Sequence, residues 1–239
     1  MGLGRRLQLG AMRCFARTLG RASDGVRIAF DSGFTSGVML DYVYENRPRG
    51  RFLIGRWFDR YYLSHPGWEA IRIRKANLER LLESAVSTLR GEGARPVLLD
   101  VASGPGQYML DVLSRPGMDD IEATCRDLDE SGLALGRRNA EERGIANVRF
   151  VAGDALDRDS LNAVEPRPNI VISSGFYDWI TDDDLVRKSM SLIHEVLPEN
   201  GFFLFTNQAG HVDLEMVQAV FIDFRGDPLR MVTRPPPRR

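Results

Sequence analysis

Cysteine is scarce. Only Cys14 and Cys125 occur in 239 residues. Two thiols so far apart give neither a disulfide framework nor a metal-ligand spacing, and they predict a reducing, cytoplasmic setting. Histidine is nearly as rare, with His65, His194 and His211 alone. No His/Cys/Asp cluster has the spacing of a metal site, so no metal is expected. Net charge is close to nil, with 32 Lys and Arg against 33 Asp and Glu. That balance argues against a broad nucleic-acid face. No apolar run approaches the roughly 20 residues that cross a bilayer, so no membrane partner is expected. Internal repeats are lacking, and the one low-complexity run is Pro235–Pro237.

What is present is organised around Val97–Tyr108, VLLDVASGPGQY. Val97, Leu98, Leu99 and Asp100 read as a strand buried on both faces. They run into a turn of Ala102, Ser103, Gly104, Pro105 and Gly106, and an apolar helical segment follows. A strand, glycine turn and helix in this order place backbone N–H groups against a nucleotide-like ligand. Gly104 and Gly106 would let that ligand approach without a Cβ in the way. An ordinary tight turn would look the same. The next stretch, Ile121–Asp129, separates the two readings. It reads as a second strand ending in acids, and Asp127 lies about 20 residues past Gly106, where a strand-end acid meets ribose hydroxyls. Gln107, Tyr108 and Met109 break the longer phosphate-binding pattern, which suits a nucleoside without a pyrophosphate.

From residue 97 strands and helices alternate. The predicted pairs are Val97–Val101 with Tyr108–Leu113, Ile121–Arg126 with Glu130–Arg143, and Val148–Ala152 with a short helix near Ser160. Ile170–Ser173 with Asp182–Val196 and Phe202–Thr206 with Leu214–Phe221 complete them. The alternation predicts a parallel α/β sheet with right-handed crossovers. Residues 1–95 show no strand alternation and read as a helical cap, leaving 96–239 as the sheet domain. The cap opens on Arg5, Arg6, Arg13, Arg17 and Arg21 with no acid, which reads as a basic amphipathic helix rather than a transit peptide. Asp31–Tyr44 is a turn followed by helix, Phe52–Leu63 is aromatic-rich, His65–Pro66–Gly67 is a turn, and Trp68–Arg90 is a long amphipathic helix.

On these motifs the segment Val97–Gln208 resembles the Rossmann-like (class I) S-adenosylmethionine-dependent methyltransferases. Val97–Gly106 matches their first motif, with Ala102 where many members have Gly. Asp127 matches the ribose-binding acid, and Phe150–Ala155 (FVAGDA) the third-strand motif, whose acid, here Asp154, is implied to contact the adenine amino group. Asn169–Gly175 and Gly201–Gln208 match the fourth and fifth strands. The resemblance implies S-adenosyl-L-methionine as cofactor, held by Asp100, Ala102, Ser103, Gly104, Gly106, Tyr108, Asp127, Leu128, Asp154, Ala155, Ser174 and Arg72. Arg72, or Arg74 beside it, would take the methionine carboxylate. A sixth strand is expected only at Leu229–Val232, so the sheet reads as shortened at its C-terminal edge: either the N-terminal cap or a partner such as a second copy covers that edge, or the chain is a naturally truncated member.

Catalytic groups are expected after strands four and five and in the cap: Tyr177, Asp178, Asn207 and Tyr61, with His211 a weaker choice. The segments DSGFTSGVMLDYVYENRPRG, GRWFDRYYLSHPGWEAIRIRK and NQAGHVDLEM narrow the resemblance to a bacterial methyltransferase-like group, some of it fused to hydrolase domains. They are also similar to enzymes that cyclise S-adenosylmethionine to azetidine-2-carboxylic acid and release methylthioadenosine. Three functions follow as expectations. The first is methyl transfer to a small molecule, in bacterial secondary metabolism (natural-product biosynthesis). Intramolecular cyclisation, with the cofactor itself as substrate, is the second. The third is a catalytically inert cofactor-binding subunit. Tyr177–Asp178 after strand four counts against the third.

Overall fold

The computed structural model describes residues 3–208, 210, 214–221 and 230. The described chain forms two compact units, residues 1–73 with 209–239, and residues 74–208, the division falling inside one helix between Ile73 and Arg74.

The second unit carries the sheet. Five strands, β1 (Val97–Val101), β2 (Glu122–Asp127), β3 (Val148–Ala152), β4 (Ile170–Ser174) and β5 (Phe202–Thr206), lie in the order β3-β2-β1-β4-β5. All four pairings are parallel. The fold is therefore α/β, a Rossmann-like parallel sheet, as the alternation predicts. The order reverses between β1 and β4, and the crevice beyond the C-terminal ends there is where such sheets bind ligands. β1 is central, and its side chains alternate across the sheet. Leu98 packs with α5 (Pro66–Gly91, from Leu78 onward), α6 (Gln107–Leu113) and α7 (Glu130–Glu142). Leu99 and Val101 pack on the other face with α8 (Arg158–Asn162) and α9 (Asp183–Val196). Burial on both faces is why Val97–Leu99 of β1 reads as a continuous apolar run.

The helix starts have local causes. Asp129 caps α7 by accepting the Ser131 N–H at 3.0 Å, and Asp182 caps α9 through Asp184 at 2.8 Å. α5 begins at Pro66, inside the segment predicted as a turn, because proline suits a first helical turn that needs no N–H partner.

The first unit is helical. It comprises α1 (Leu3–Arg17), a 3-10 turn, α2 (Asp24–Asp31), α3 (Gly37–Glu45), α4 (Phe52–Leu63), the start of α5, and α10 (Leu214–Val220). Its core joins Ala29, Met39, Tyr42 and Val43 to Leu63 and Trp68, with Val217, Val220 and Phe221. The Phe34 ring lies 4.8 Å from Trp68 and 4.7 Å from Phe221. The segment predicted as the last helix of the sheet thus contributes to the core of the first unit.

One carboxylate fastens this unit. Asp59 on α4 is fully buried and accepts from Ser23 Oγ at 2.6 Å, Gly25 N at 2.9 Å, Arg49 N at 2.8 Å and Gly50 N at 3.3 Å, as well as from the Tyr42 hydroxyl. Ser23 also accepts from Val26 N at 3.2 Å and so caps α2. A buried carboxylate with this many donors has its desolvation offset. Among the described residues no helix is long and apolar enough to cross a membrane. The expected sixth strand, Leu229–Val232, lies outside the described residues except for Arg230.

Candidate functional site

The turn after β1 is made of left-handed residues. Ala102 has φ 54°, Gly104 φ 54° and Gly106 φ 66°. Two glycines take that conformation freely, but Ala102 pays a steric cost for its Cβ. Gly106 is also packed tightly, since a Cβ there would sit 2.9 Å from Cys125 Sγ. Cys125 itself is fully buried on β2, and burial pushes its thiol up, consistent with packing rather than reactivity.

Asp127, at the end of β2, reaches back to this turn. Its Oδ2 accepts the Gly104 N–H at 2.7 Å and its Oδ1 accepts the Asp129 N–H at 2.8 Å. Ser103 N donates to Arg126 O at 3.0 Å, and Gly153 N donates to Asp127 O at 3.0 Å. The ends of β1, β2 and β3 are therefore sewn together around one carboxylate. Each Asp127 oxygen retains a lone pair, which is the acceptor capacity a vicinal diol requires. Leu128 beside it is exposed, and Asp154 past β3 accepts the Leu156 N–H at 2.8 Å through Oδ1, with Ala155 buried next to it. Behind that loop the Arg126 guanidinium donates to Ser160 O at 2.7 Å and to Ser160 Oγ, and it fills the space a Cβ on Gly153 would need.

Asp100 is the unusual group. It is fully buried on the Leu98 side of β1, and neither carboxyl oxygen has a donor in hydrogen-bond geometry. Burial pushes it up to about 8, the Tyr108 hydroxyl opposes that rise, and the charge of Asp127 adds to it. A buried acid beside the glycine turn, lacking a bonded donor, fits a ligand that brings a cation.

The groups after β4 and β5 are tied to the protein. Tyr177 is buried, its hydroxyl 3.2 Å from Ser189 Oγ on α9, and its ring stands edge-on to Phe205 at 5.9 Å. Burial raises its hydroxyl, with Ser189 opposing. Asp178 is 2% exposed, pairs with Arg74 at 2.9 Å and accepts the Gln208 N–H at 2.7 Å. Ser174 Oγ lies 3.4 Å from Thr206 Oγ1, and Asn207 is exposed after β5.

The remaining predicted residues lie in the first unit. Tyr61 is 73% exposed and stacks on Trp57 at 6.4 Å. Arg72 has a buried Nη1 without a hydrogen-bond partner, and burial lowers its guanidinium against the opposing charge of Glu69. A buried guanidinium nitrogen without a partner can donate to a carboxylate. His211 lies outside the described residues. Arg74, Asp59 and Arg126 are the groups that local pattern did not single out for the roles they hold.

A parallel sheet in this order, with a glycine turn after its central strand and an acid ending the next, defines a Rossmann-like nucleoside-binding architecture. The chain belongs to the family described as "Putative methyltransferase", which matches residues 3–235. It is 36% identical over 226 residues to YnbC of Escherichia coli strain K12, covering 93% of this chain and 38% of that protein. It is also 36% identical over 157 residues to the ubiquinone/menaquinone biosynthesis C-methyltransferase UbiE of Methylobacterium nodulans, covering 62% of this chain and 57% of that one. The chain thus spans well under two thirds of the length of these relatives. Similar solved structures include an S-adenosylmethionine-dependent methyltransferase from Geobacter sulfurreducens in complex with S-adenosyl-L-homocysteine, at 22% identity and TM-score 0.40, covering 54% of this chain and 47% of that one. Another is PKMT2 from Rickettsia typhi in complex with AdoHcy, at 21% identity and TM-score 0.41, covering 48% of this chain and 21% of that one.

Proposed function

We propose that the chain binds S-adenosylmethionine and transfers its methyl group to a small-molecule acceptor in the cytoplasm. The observation that carries this reading is Asp127, whose carboxylate holds the Gly104 N–H and keeps acceptor capacity at the end of β2. Membership of the methyltransferase family supports it. In this reading the nucleoside lies on the second unit.

The residues fit such a ligand. Asp127 would hold the ribose hydroxyls and Asp154 the adenine amino group. Ala102, Ser103, Gly104 and Gly106 would pass close under the nucleoside, with Tyr108, Leu128, Ala155 and Ser174 beside it. Asp100 would face the cationic arm, and Arg72 the methionine carboxylate. S-adenosylmethionine supplies an electrophilic methyl on a sulfonium. The protein's share is to orient the acceptor against it and to exclude water. Asn207 after β5 is the proposed polar group on the acceptor side.

Calorimetry with S-adenosylmethionine and S-adenosylhomocysteine tests binding, and Asp127→Ala should weaken it about 10–100-fold, the scale of lost charged hydrogen bonds. No binding of either by folded wild-type chain refutes the reading. Mass spectrometry of products then assigns the reaction. S-adenosylhomocysteine marks transfer, methylthioadenosine marks cyclisation, and unconsumed cofactor in the presence of cell extract marks an inert subunit.

A further inference from the structure

Arg74 and Asp178 stand 104 residues apart in sequence and form a buried ion pair, with side-chain exposures of 16% and 2%. β4 and β5 are neighbours, with Ser174 opposite Thr206. Beyond that pair the two chains part, one into the 3-10 turn Phe176–Asp178 and the other into Asn207 and Gln208. Two bonds tie them again past the split. Gly175 N donates to Thr206 Oγ1 at 2.9 Å, and Gln208 N donates to Asp178 Oδ1 at 2.7 Å. Arg74 then takes the other Asp178 oxygen at 2.9 Å. Gly175 has φ 76°, and a Cβ there would sit 3.1 Å from Arg74 Nη2, so the guanidinium covers the start of the turn.

We propose that Arg74 and Asp178 are a positioning pair that fixes the loops leaving β4 and β5 at one separation and so places Asn207. The proposal rests on the methyltransferase reading for its consequence, and on the geometry alone for its existence. A buried ion pair is weak as a stabiliser, because well-packed apolar side chains often serve as well. What it supplies is direction. One Asp178 oxygen reaches the backbone on one side of Asn207, and Thr206 is tied on the other, so the backbone that carries Asn207 is held at both ends. With both oxygens engaged and the group buried, Asp178 orders the site without meeting the acceptor.

The test compares Asp178→Asn, Arg74→Met, the double variant and Arg74→Lys. Hydrogen exchange is read on residues 175–179 and 206–208, affinity for S-adenosylhomocysteine by calorimetry, and consumption of S-adenosylmethionine, with cell extract as the source of methyl acceptor, by mass spectrometry. Either single variant should speed exchange in both segments together. Each should slow consumption about 100-fold, the effect of a small misplacement, and change S-adenosylhomocysteine affinity less than about threefold. The double variant should be no slower than the slower single, and Arg74→Lys should recover part of the loss. Additive effects, or unchanged exchange at 206–208, overturn the proposal. So does an Asp178→Asn variant that loses turnover and the acid limb of its pH profile while Arg74→Met stays near wild type, since Asp178 would then be a proton acceptor. If wild-type chain binds no S-adenosylhomocysteine, the methyltransferase reading fails, and exchange still decides the pair.

Discussion

Replacing Asp100 by Asn probes the site through the stability of the protein. The carboxyl lies fully buried on β1, where burial raises it from 3.8 to about 8. An unfolded chain loses this proton near the lower value. Across the interval the native state therefore holds a proton that the unfolded state has released. Stability must fall with rising pH, at about 1.4 kcal/mol per pH unit, and level off above the folded value. Carried over the whole interval this is about 5–6 kcal/mol, an upper bound, since water entry and small movements of Tyr108 and Asp127 relax the charged state. Asn has nearly the shape of the protonated acid and never ionises. Wild type and Asp100→Asn should thus be close in stability at about pH 4, and the variant should gain about 2–4 kcal/mol by about pH 8.

Because the chain has two compact units, a single unfolding midpoint would mix them. Hydrogen exchange of the β1 and β2 amides, followed against urea at several pH values without ligand, reports the second unit directly. The difference between the proteins should widen with pH and then flatten. A difference independent of pH, or a variant that loses ground as pH rises, would refute the assignment of Asp100 as a proton-holding buried acid. The same substitution should weaken S-adenosylmethionine binding, because Asn cannot ionise to meet the ligand's cation. Stability gained and affinity lost at one position is the signature of a group kept for its ligand.

Other expectations are as direct. Asp59→Ala removes the acceptor shared by Ser23, Gly25, Tyr42, Arg49 and Gly50, and should destabilise the first unit by about 3–5 kcal/mol, read as faster exchange in α2, α3 and α4. Gly136→Ala would put a Cβ on the Phe150 ring, so the second unit should lose about 1–3 kcal/mol in denaturant titration, with part recovered by Phe150→Leu in the same chain. Ala102→Gly removes the Cβ from a residue at φ 54° and should cost the fold no more than a few tenths of a kcal/mol by thermal unfolding, since relief of about 1 kcal/mol of strain offsets the added chain entropy.

Most of the sheet was legible from local pattern. β1, β3 and β5 have the bounds that the sequence predicts; central β1 is buried along most of its length, whereas β3 and β5 are partly exposed edge strands. β2 is shifted by one residue, Glu122–Asp127 against the expected Ile121–Arg126, and β4 runs one residue further than expected, to Ser174. α2 was missed: it is eight residues long, and its start depends on Ser23, whose hydroxyl is held by Asp59 from another helix. The site divides in the same way. Asp127 could be found because its distance from the glycine turn is a sequence quantity. Arg74 and Asp178 could not be paired, because 104 intervening residues carry no trace of their contact. Tyr177 and Asp178 attract notice as polar residues after a strand, yet their partners, Ser189 and Arg74, come from distant helices.

Three features that break local rules lie close together at the end of β1, while two others, Asn46 at φ 48° and Phe52 at φ 56°, lie in the first unit. Asp100 is an acid in a buried strand, Ala102 is a non-glycine residue in the left-handed region, and Gly106 sits against Cys125, all within one turn of chain after β1. Each departure costs stability where a plainer residue would not, and such costs concentrate at sites that act on something else. Asp59 is the useful contrast, as a buried acid whose oxygens are filled by five donors and which therefore serves the fold. Asp100, equally buried, has no donor in hydrogen-bond geometry and holds a proton up to about pH 8, so its carboxyl is left for a partner the fold does not supply. Gly104, Gly106, Asp127 and Asp154 belong with it to residues 74–208, so in the proposed reading the nucleoside would be held by one unit. Tyr61 and Arg72 belong to the other. Loss of Asp127 should therefore weaken adenosine and S-adenosylhomocysteine alike, which calorimetry with the two ligands reads directly.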